Sequence, residues 1–216
     1  MNIAEILRSL AATQPGAPAI IDSSHGRDRV TTYRQLEMNA ARGAALLKHS
    51  GLRQGDTALI FQPMSSELYT ALLALFRLGI TAMFLDPSAG LEHIKHCCSI
   101  RPPDALIGPP KVHLLRLISP ALRNIPRKFV FGYSLPGAVA WGKSQCLDPL
   151  EDIIPCDEDI PALVTFTSGS TGMPKAAVRS HGFLLEQHRV LKRALHLKPG
   201  TVDLTTLPVF VLANLA

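Results

Sequence analysis

Short blocks of apolar residues alternate with polar turns along this chain, and their spacing predicts helices and strands in turn. The apolar residues of the first ten positions recur at i, i+3, i+4 and i+7, which predicts a helix that Pro15-Gly16 ends. Two short strands are predicted next, at 19–22 and 30–32. Thr32-x-x-Gln35 has the form of a capping box, so we expect a helix to begin there and to end at Gly51.

From residue 57 onward, apolar strands and helices follow one another regularly. The predicted order is a strand at 57–61, a helix at 65–78, a strand at 81–85, a helix at 91–99 and a strand at 105–107. Such alternation is typical of βαβ units. The predicted fold class is therefore α/β, with a mainly parallel sheet covered by helices. The proline-rich region 108–159, with one strand at 128–132, is interpreted as a surface excursion between two parts of the sheet.

Composition argues against several classes of function. The charge of +5 comes from 22 basic and 17 acidic residues spread along the chain, and only 6% of residues are aromatic, so no nucleic-acid partner is predicted. The most apolar long stretch, 70–85, is shorter than the ~20 residues of a membrane span, and no transmembrane segment is predicted. Four cysteines without a C-x-x-C pair or a signal peptide predict free thiols in a reducing compartment such as the cytoplasm.

Two clusters contain residue types that bind metals. His93 and His96 share one face of a predicted helix, but spacing places no third ligand, so both are predicted to face solvent. The acidic segment 156–159 is interpreted as a solvated turn, with a Mg²⁺ site as the alternative. The sequence therefore assigns no metal ligand.

One segment, from Thr167 to Lys175, carries a chemical pattern of its own: Thr-Ser-Gly-Ser-Thr-Gly-Met-Pro-Lys. Its two glycines permit positive φ and close backbone approach, so consecutive N–H groups can converge on an anion. The hydroxyl groups add donors, and the lysine adds a positive charge. The predicted polyphosphate-binding residues are Thr167, Ser168, Gly169, Ser170, Thr171, Gly172 and Lys175.

The P-loop of nucleoside triphosphatases is an alternative explanation of this segment. A P-loop requires Lys directly after its second Gly, followed by Ser or Thr, and it joins a strand to a helix. Here Lys175 stands three places past Gly172, and Ala176 follows it. Apolar strands are predicted at 162–166, before the loop, and at 176–179, after it. The loop is therefore predicted to join two strands.

At these residues the chain resembles the adenylate-forming superfamily, which comprises acyl-CoA synthetases, luciferases and the adenylation domains of peptide synthetases. The signature aromatic-Thr-Ser-Gly-Ser/Thr-Thr-Gly-x-Pro-Lys is matched from Phe166 to Lys175. The Ser-His that commonly follows is matched by Ser180-His181, where Ser180 is also the predicted N-cap of a helix. Weaker similarities lie at 32–36 and 78–87, which correspond to structural elements of the family.

The resemblance implies a reaction and its participants. A substrate carboxylate attacks the α-phosphorus of ATP in the presence of Mg²⁺ and gives acyl-AMP and pyrophosphate; the acyl group then passes to CoA or a carrier protein. The residues from Thr167 to Gly172 would enclose the β- and γ-phosphates, with Lys175 as the catalytic cation. Phe210 and Val211 would line the carboxylate pocket. Because Val211 stands where His is common in the family, a fatty acid is the expected substrate.

The resemblance covers only the first part of an adenylation domain. The chain stops before the family's Tyr-Gly-x-Thr-Glu segment, its ribose-binding Asp and its C-terminal lid. Residues 1–216 are therefore expected to be the N-terminal portion of an AMP-binding domain, inactive in adenylation when alone. The apolar segment 207–216 also predicts self-association.

Three hypotheses are open on the sequence alone. The first is an adenylate-forming ligase of which this chain is one portion. The second is a P-loop-type phosphotransferase, which requires a helix rather than a strand after Lys175. The third is a non-catalytic module that keeps the fold as an interaction surface.

Overall fold

The computed structural model describes residues 1–24, 26–168, 174–198, 200 and 202–204. Its helices are α1 (Ala4–Thr13), α2 (Tyr33–His49), α3 (Ser66–Arg77), α4 (Gly90–Ile100), α5 (Pro110–Leu114), α6 (Pro120–Arg123) and α7 (His181–Ala194). Its strands are β1 (Pro18–Ser24), β2 (Arg27–Thr32), β3 (Thr57–Ile60), β4 (Thr81–Phe84), β5 (Ala105–Gly108), β6 (Arg127–Val130), β7 (Val139–Ala140), β8 (Pro161–Ser168) and β9 (Pro174–Ser180).

The strands of the described residues form two sheets. Strands β1 and β2 pair with each other as an antiparallel hairpin. The other seven form one sheet in the order β7-β6-β5-β3-β4-β8-β9. Neighbouring strands in that sheet are parallel from β7 to β8, and the pair of β8 and β9 is antiparallel. The reversal of direction therefore lies at one edge of the large sheet.

Each face of the large sheet buries its own apolar cluster. Successive strand residues point to opposite faces, so Ala58 and Ile60 of β3 join the cluster formed with α2 and α3. Leu59, between them, joins the cluster formed with α4 and α6. Because helices cover both faces of a mainly parallel sheet, the predicted α/β fold class is confirmed.

The residues that begin and end helices lie where the sequence predicts them. The capping box is formed, because the Thr32 hydroxyl accepts a hydrogen bond from the Gln35 N–H and the Gln35 side chain accepts one from the Thr32 N–H. Gly51 and Gly79 follow α2 and α3 with φ values of 83° and 64°. These left-handed conformations are accessible to glycine at little cost, which explains why both helices end there.

The interpretation of 108–159 as a surface excursion is wrong in part. This region adds two strands, β6 and β7, to the large sheet, and it buries Trp141, which is only 6% exposed. The indole stacks on the ring of Phe131 at a centroid distance of 4.7 Å. The six-membered ring of the indole lies against Gly43 of α2, where an added Cβ would lie 2.8 Å from Trp141 Cζ2. The glycine thus makes room for the tryptophan.

Arg77, at the end of α3, is only 2% exposed. Its guanidinium forms an ion pair with Glu37 at 2.6 Å. It also donates hydrogen bonds to the carbonyl oxygens of Leu150 and Glu151, each at 2.8 Å. Arg77 therefore attaches the irregular segment before β8 to helices α2 and α3.

The first residues of the chain are held by partners that lie far away in sequence. The buried Asn2 amide donates to the carbonyl oxygens of Phe76 and Ile154, at 2.6 and 2.9 Å. The Ile3 N–H donates to Nδ1 of His181 at 3.3 Å. The N-terminus thus joins α3, the segment before β8, and α7.

Candidate functional site

The predicted phosphate-binding segment lies at the tip of the β8–β9 hairpin. The two strands that flank it are described by the structure, and they pair Thr167 with Lys175 and Ser168 with Pro174. Residues 169–173, between the two strands, lie outside the described residues. The sequence prediction that this loop joins two strands is confirmed.

The hairpin tip lies at the carboxyl ends of the parallel strands, where ligands of α/β proteins usually bind. Strand β8 runs parallel to β4, so its carboxyl end lies beside the carboxyl end of β4. In open α/β sheets, ligands bind outside the carboxyl ends of the strands. At this edge, Asp86 follows β4 and accepts hydrogen bonds from the Ser88 N–H and hydroxyl at 2.8 and 2.6 Å, which lower the pKa of the Asp86 carboxyl. A hydrogen-bonded carboxyl group therefore lies at this edge.

Thr167 and Lys175 are brought together by the pairing of β8 and β9. Directly opposite residues of an antiparallel pair share one face, with Cβ atoms about 5 Å apart. Both side chains are exposed, whereas Pro174 is buried and anchors the start of β9. No carboxylate among the described residues forms an ion pair with Lys175. A hydroxyl and a cation thus stand side by side at the loop entrance, an arrangement suited to an anion.

Several predicted site residues lie outside the described residues. They are Gly169, Ser170, Thr171 and Gly172 of the loop, and Phe210 and Val211 of the expected substrate pocket. The backbone of Ser168 is described as part of β8, and its side chain is not. The roles assigned to these residues stay predictions.

The hypothesis of a P-loop-type phosphotransferase is wrong. A P-loop leads directly into a helix, whereas Lys175 lies in strand β9, which runs from Pro174 to Ser180. Helix α7 begins only after that strand, with the Ser180 hydroxyl accepting a hydrogen bond from the Phe183 N–H at 3.2 Å. The predicted N-cap at Ser180 is confirmed.

Arg179 of β9 has contacts that the sequence analysis did not single out. Its guanidinium donates to the Thr165 hydroxyl of β8 at 2.8 Å and lies 6.0 Å from the ring centroid of Phe183. Burial lowers the pKa of Arg179. The only sequence signal is a charged residue within an otherwise apolar short strand, which does not reveal the partner.

His181, matched in sequence to the family motif, is fully buried. Its Nδ1 accepts the Ile3 N–H, and its ring meets the ring of Phe76 edge-on at a centroid distance of 5.7 Å. Burial, together with the positive charge of the N-terminus, lowers the pKa of His181 to about 4. The imidazole is therefore neutral at pH 7 and serves in packing.

The other candidate clusters show no metal centre. His93 and His96 are partly buried rather than fully solvent-facing, and Nε2 of His93 lies 3.4 Å from the Cys97 sulfur. All four cysteines are free, as predicted. Residues 157–159 are exposed, as a solvated turn requires. Among the described residues, no group of three or more His, Cys, Asp and Glu side chains is placed to hold a metal ion.

None of the helices in the described ranges has the length and apolar character needed to cross a membrane.

Comparisons with known proteins extend this description. The sequence model of the AMP-binding enzyme family matches residues 7–215. The olefin beta-lactone synthetase of Stenotrophomonas maltophilia is 31% identical over 98% of this chain and 40% of its own length. Acetyl-coenzyme A synthetase 2 of Candida glabrata is 29% identical over 90% of this chain and 32% of its own length. The chain spans about a third to two fifths of the length of these relatives.

A solved structure shows the same fold. Acetoacetyl-CoA synthetase from Streptomyces lividans superposes with a TM-score of 0.84 over 93% of this chain and 33% of its own length, at 24% identity. The sequence match, which extends over nearly the whole chain, and the shared fold agree with each other. The chain therefore belongs to the AMP-binding enzyme family.

Proposed function

We propose that this chain supplies the phosphate-binding hairpin of an ATP-dependent ligase that forms an acyl-adenylate and pyrophosphate. The observation that carries the proposal is the pairing of Thr167 with Lys175 at the carboxyl edge of the sheet, on either side of a loop between antiparallel strands. Membership of the AMP-binding enzyme family supports the same activity. The residues 1–216 would form the N-terminal portion of the adenylation domain and would not adenylate a substrate alone.

In this reaction, a carboxylate oxygen forms a bond to the α-phosphorus of ATP. The bond between that phosphorus and the bridging oxygen to the β-phosphorus breaks, and pyrophosphate leaves with the electron pair. The role of this chain would be to orient the triphosphate and to stabilise the charge on the leaving pyrophosphate. Lys175 would supply a positive charge, and the N–H and hydroxyl groups from Thr167 to Gly172 would supply hydrogen bonds.

The substrate and acceptor follow from weaker observations. Val211 in the expected pocket favours a fatty acid over a polar carboxylate, and the names of two relatives are those of an olefin beta-lactone synthetase and an acetyl-coenzyme A synthetase. We infer a fatty acyl substrate, and CoA or a carrier protein as the acceptor, in the cytoplasm. We also infer that the ATP is bound together with Mg²⁺.

Substitution of Lys175 by alanine tests the proposal. In the enzyme that contains this chain, we expect carboxylate-dependent pyrophosphate exchange to fall roughly 10- to 100-fold, as for the loss of a charge-assisted hydrogen bond of ~1.5–3 kcal/mol. Binding of the carboxylate should barely change. Lys143→Ala is the matched control, because Lys143 is an exposed lysine beyond β7, at the opposite edge of the sheet.

The same substitution can be examined in the 216-residue chain by calorimetric titration with pyrophosphate and Mg²⁺. Weaker binding in Lys175→Ala but not in Lys143→Ala would agree with the proposal. An unchanged exchange rate in the enzyme would remove Lys175 from the site. If neither the chain nor the enzyme binds pyrophosphate, the hypothesis of a non-catalytic module replaces the proposed ligase.

A further inference from the structure

We propose that Arg179 is a positioning residue for Thr167 and Lys175, because its bond to Thr165 fixes the register in which β9 pairs with β8. This inference rests on the proposed function for its effect on phosphate binding. The register itself can be measured independently of any ligand.

The pairing of β8 and β9 contains an irregularity at its end away from the loop. Pro161 is opposite Ser180, but the next pair is Leu163 with Arg179, so one extra residue of β8, Ala162, stands within the hairpin. Such an insertion is a β-bulge, which disrupts the ladder locally. Beyond the bulge, the pairing continues without another shift to Ser168 and Pro174. Arg179 is thus the first paired residue of β9 on the loop side of the bulge.

The register on that side decides where Lys175 points. Side chains alternate between the two faces of a strand, so a slip of one residue moves every side chain of β9 to the opposite face relative to β8. In the observed register, Lys175 shares a face with Thr167. After such a slip, the cation and the hydroxyl would lie on opposite faces of the sheet, and the site described above would be lost.

Few interactions between strands fix this register. In the part of the chain that the structure describes, β9 is the edge strand of the sheet and pairs only with β8. Along β9, Ala176, Ala177 and Val178 can pack, but they form no side-chain hydrogen bond that distinguishes one register from the next. Arg179 provides a directional contact between the two strands.

The geometry of the Arg179 contact selects the observed register. The guanidinium donates to the Thr165 hydroxyl at 2.8 Å, and its distance to the carbonyl oxygen of Ala177 is 3.5 Å. Thr165 is only 4% exposed and lies two residues nearer the loop than Leu163, the residue opposite Arg179. Because a one-residue slip would move Arg179 to the face opposite Thr165, such a slip breaks the bond.

The chemical partners of Arg179 favour a positional role. Its described partners are a neutral hydroxyl, a carbonyl and an aromatic ring, and no carboxylate among the described residues pairs with it. Partial burial of a cation against neutral groups contributes little stability, since the cost of removing it from water offsets the hydrogen bonds gained. A contact of this kind acts mainly by making one strand register more stable than the registers shifted by one residue.

The first experiment measures the register directly in the 216-residue chain. Nuclear Overhauser contacts between the backbones of β8 and β9 report which residues are opposite each other. In Arg179→Ala and in Thr165→Val, we expect the contacts of the pair Thr167 and Lys175 to weaken and contacts of a shifted pairing to appear. Arg189→Ala is the matched control, because Arg189 is an exposed arginine of α7 that pairs only with Glu186 among the described residues.

The second experiment measures pyrophosphate affinity well below the melting temperature of each variant, once circular dichroism has shown that the variant is folded. We expect Arg179→Ala and Thr165→Val each to raise the dissociation constant about 3- to 10-fold. The double variant should be no weaker than the worse single variant, because both remove the same contact. Arg179→Lys should restore part of the affinity, since lysine keeps a donor and a charge at this position.

The outcomes separate this inference from the proposed function. Variants with a lower melting temperature but the wild-type contacts and affinity would show that Arg179 only stabilises the fold, and the inference would be overturned. A shifted register in the variants, with no pyrophosphate binding by the wild-type chain or by the enzyme that contains it, would support the positional role of Arg179 and refute the proposed phosphate site. An unchanged register with normal binding in both single variants would also overturn the inference.

Discussion

Acidification should destabilise this protein through His181, and the structure gives the direction and size of the effect. The imidazole is fully buried, accepts the Ile3 N–H at 3.3 Å, and lies close to the positive N-terminus. Burial first, and then that positive charge, lower the pKa of His181 from 6.5 to about 4. Between these values the unfolded chain binds a proton that the folded chain does not.

This difference in proton binding means that the free energy of unfolding decreases as the pH falls. The contribution of neutral His181 to stability is fully present above the unfolded pKa of 6.5 and is lost as the pH falls towards 4. The linkage relation gives a decrease of about 2 kcal/mol in the free energy of unfolding between pH 7.5 and pH 5. Most carboxyl groups are still ionised in this range, so their contribution to the change is small.

Urea denaturation at several pH values between 5 and 7.5 measures this decrease. The comparison is with His181→Gln, which keeps an acceptor for the Ile3 N–H but does not titrate. Burial also lowers the pKa of His113, which adds a slope of the same sign in both proteins. We expect the variant to be less stable at pH 7.5 but to lose about 2 kcal/mol less on acidification. Equal pH dependence in the two proteins would refute the reasoning.

Two further substitutions test the packing of the fold by urea or thermal unfolding. Arg77→Met removes the ion pair with Glu37 and two hydrogen bonds to carbonyl groups, and should cost ~3–5 kcal/mol. A loss below about 1 kcal/mol would show that solvent replaces those bonds. Gly43→Ala should destabilise despite its better helix propensity of ~1 kcal/mol, because the new Cβ overlaps Trp141 at a cost of ~1–3 kcal/mol. A stabilised Gly43→Ala would mean that the indole moves away at little cost.

Much of the fold could be predicted from the sequence because its signals are local. The capping box at Thr32 and the glycines after α2 and α3 act within a few residues of the chain, and all occur as predicted. Arg77 was different, since it reads as an interruption of an apolar stretch. Its burial depends on carbonyl groups more than 70 residues away, and on Glu37 of another helix. The burial of Trp141, within the region interpreted as a surface excursion, has the same kind of cause, because Gly43 of the distant helix α2 makes room for its ring.

The candidate site could also be predicted from the sequence only in part. The chemistry of Thr167 and Lys175, and the presence of a strand on either side of the loop, could be predicted from residue types and apolar pattern. The bond between Arg179 and Thr165 could not, because it depends on how β8 and β9 are aligned. That alignment includes a bulge at Ala162. In a short strand that is apolar on both faces, a bulge does not change the pattern of apolar and polar residues, so the sequence does not reveal it.

The attachment of the first residues to partners far along the chain has a consequence for the timing of folding during synthesis. Ile3 and His181, which share a hydrogen bond, are separated by 178 positions. At roughly 5–20 residues per second, ribosomes need about 9 to 36 s to make the residues between them. For that time the Ile3 N–H has no native acceptor, and Asn2 has only one of its two carbonyl partners until Ile154 is made. Asn2 and Ile3 therefore reach their native hydrogen-bond partners long after they are synthesised, whereas Leu7 of α1 packs against Leu36 and Ala40 of the nearby α2.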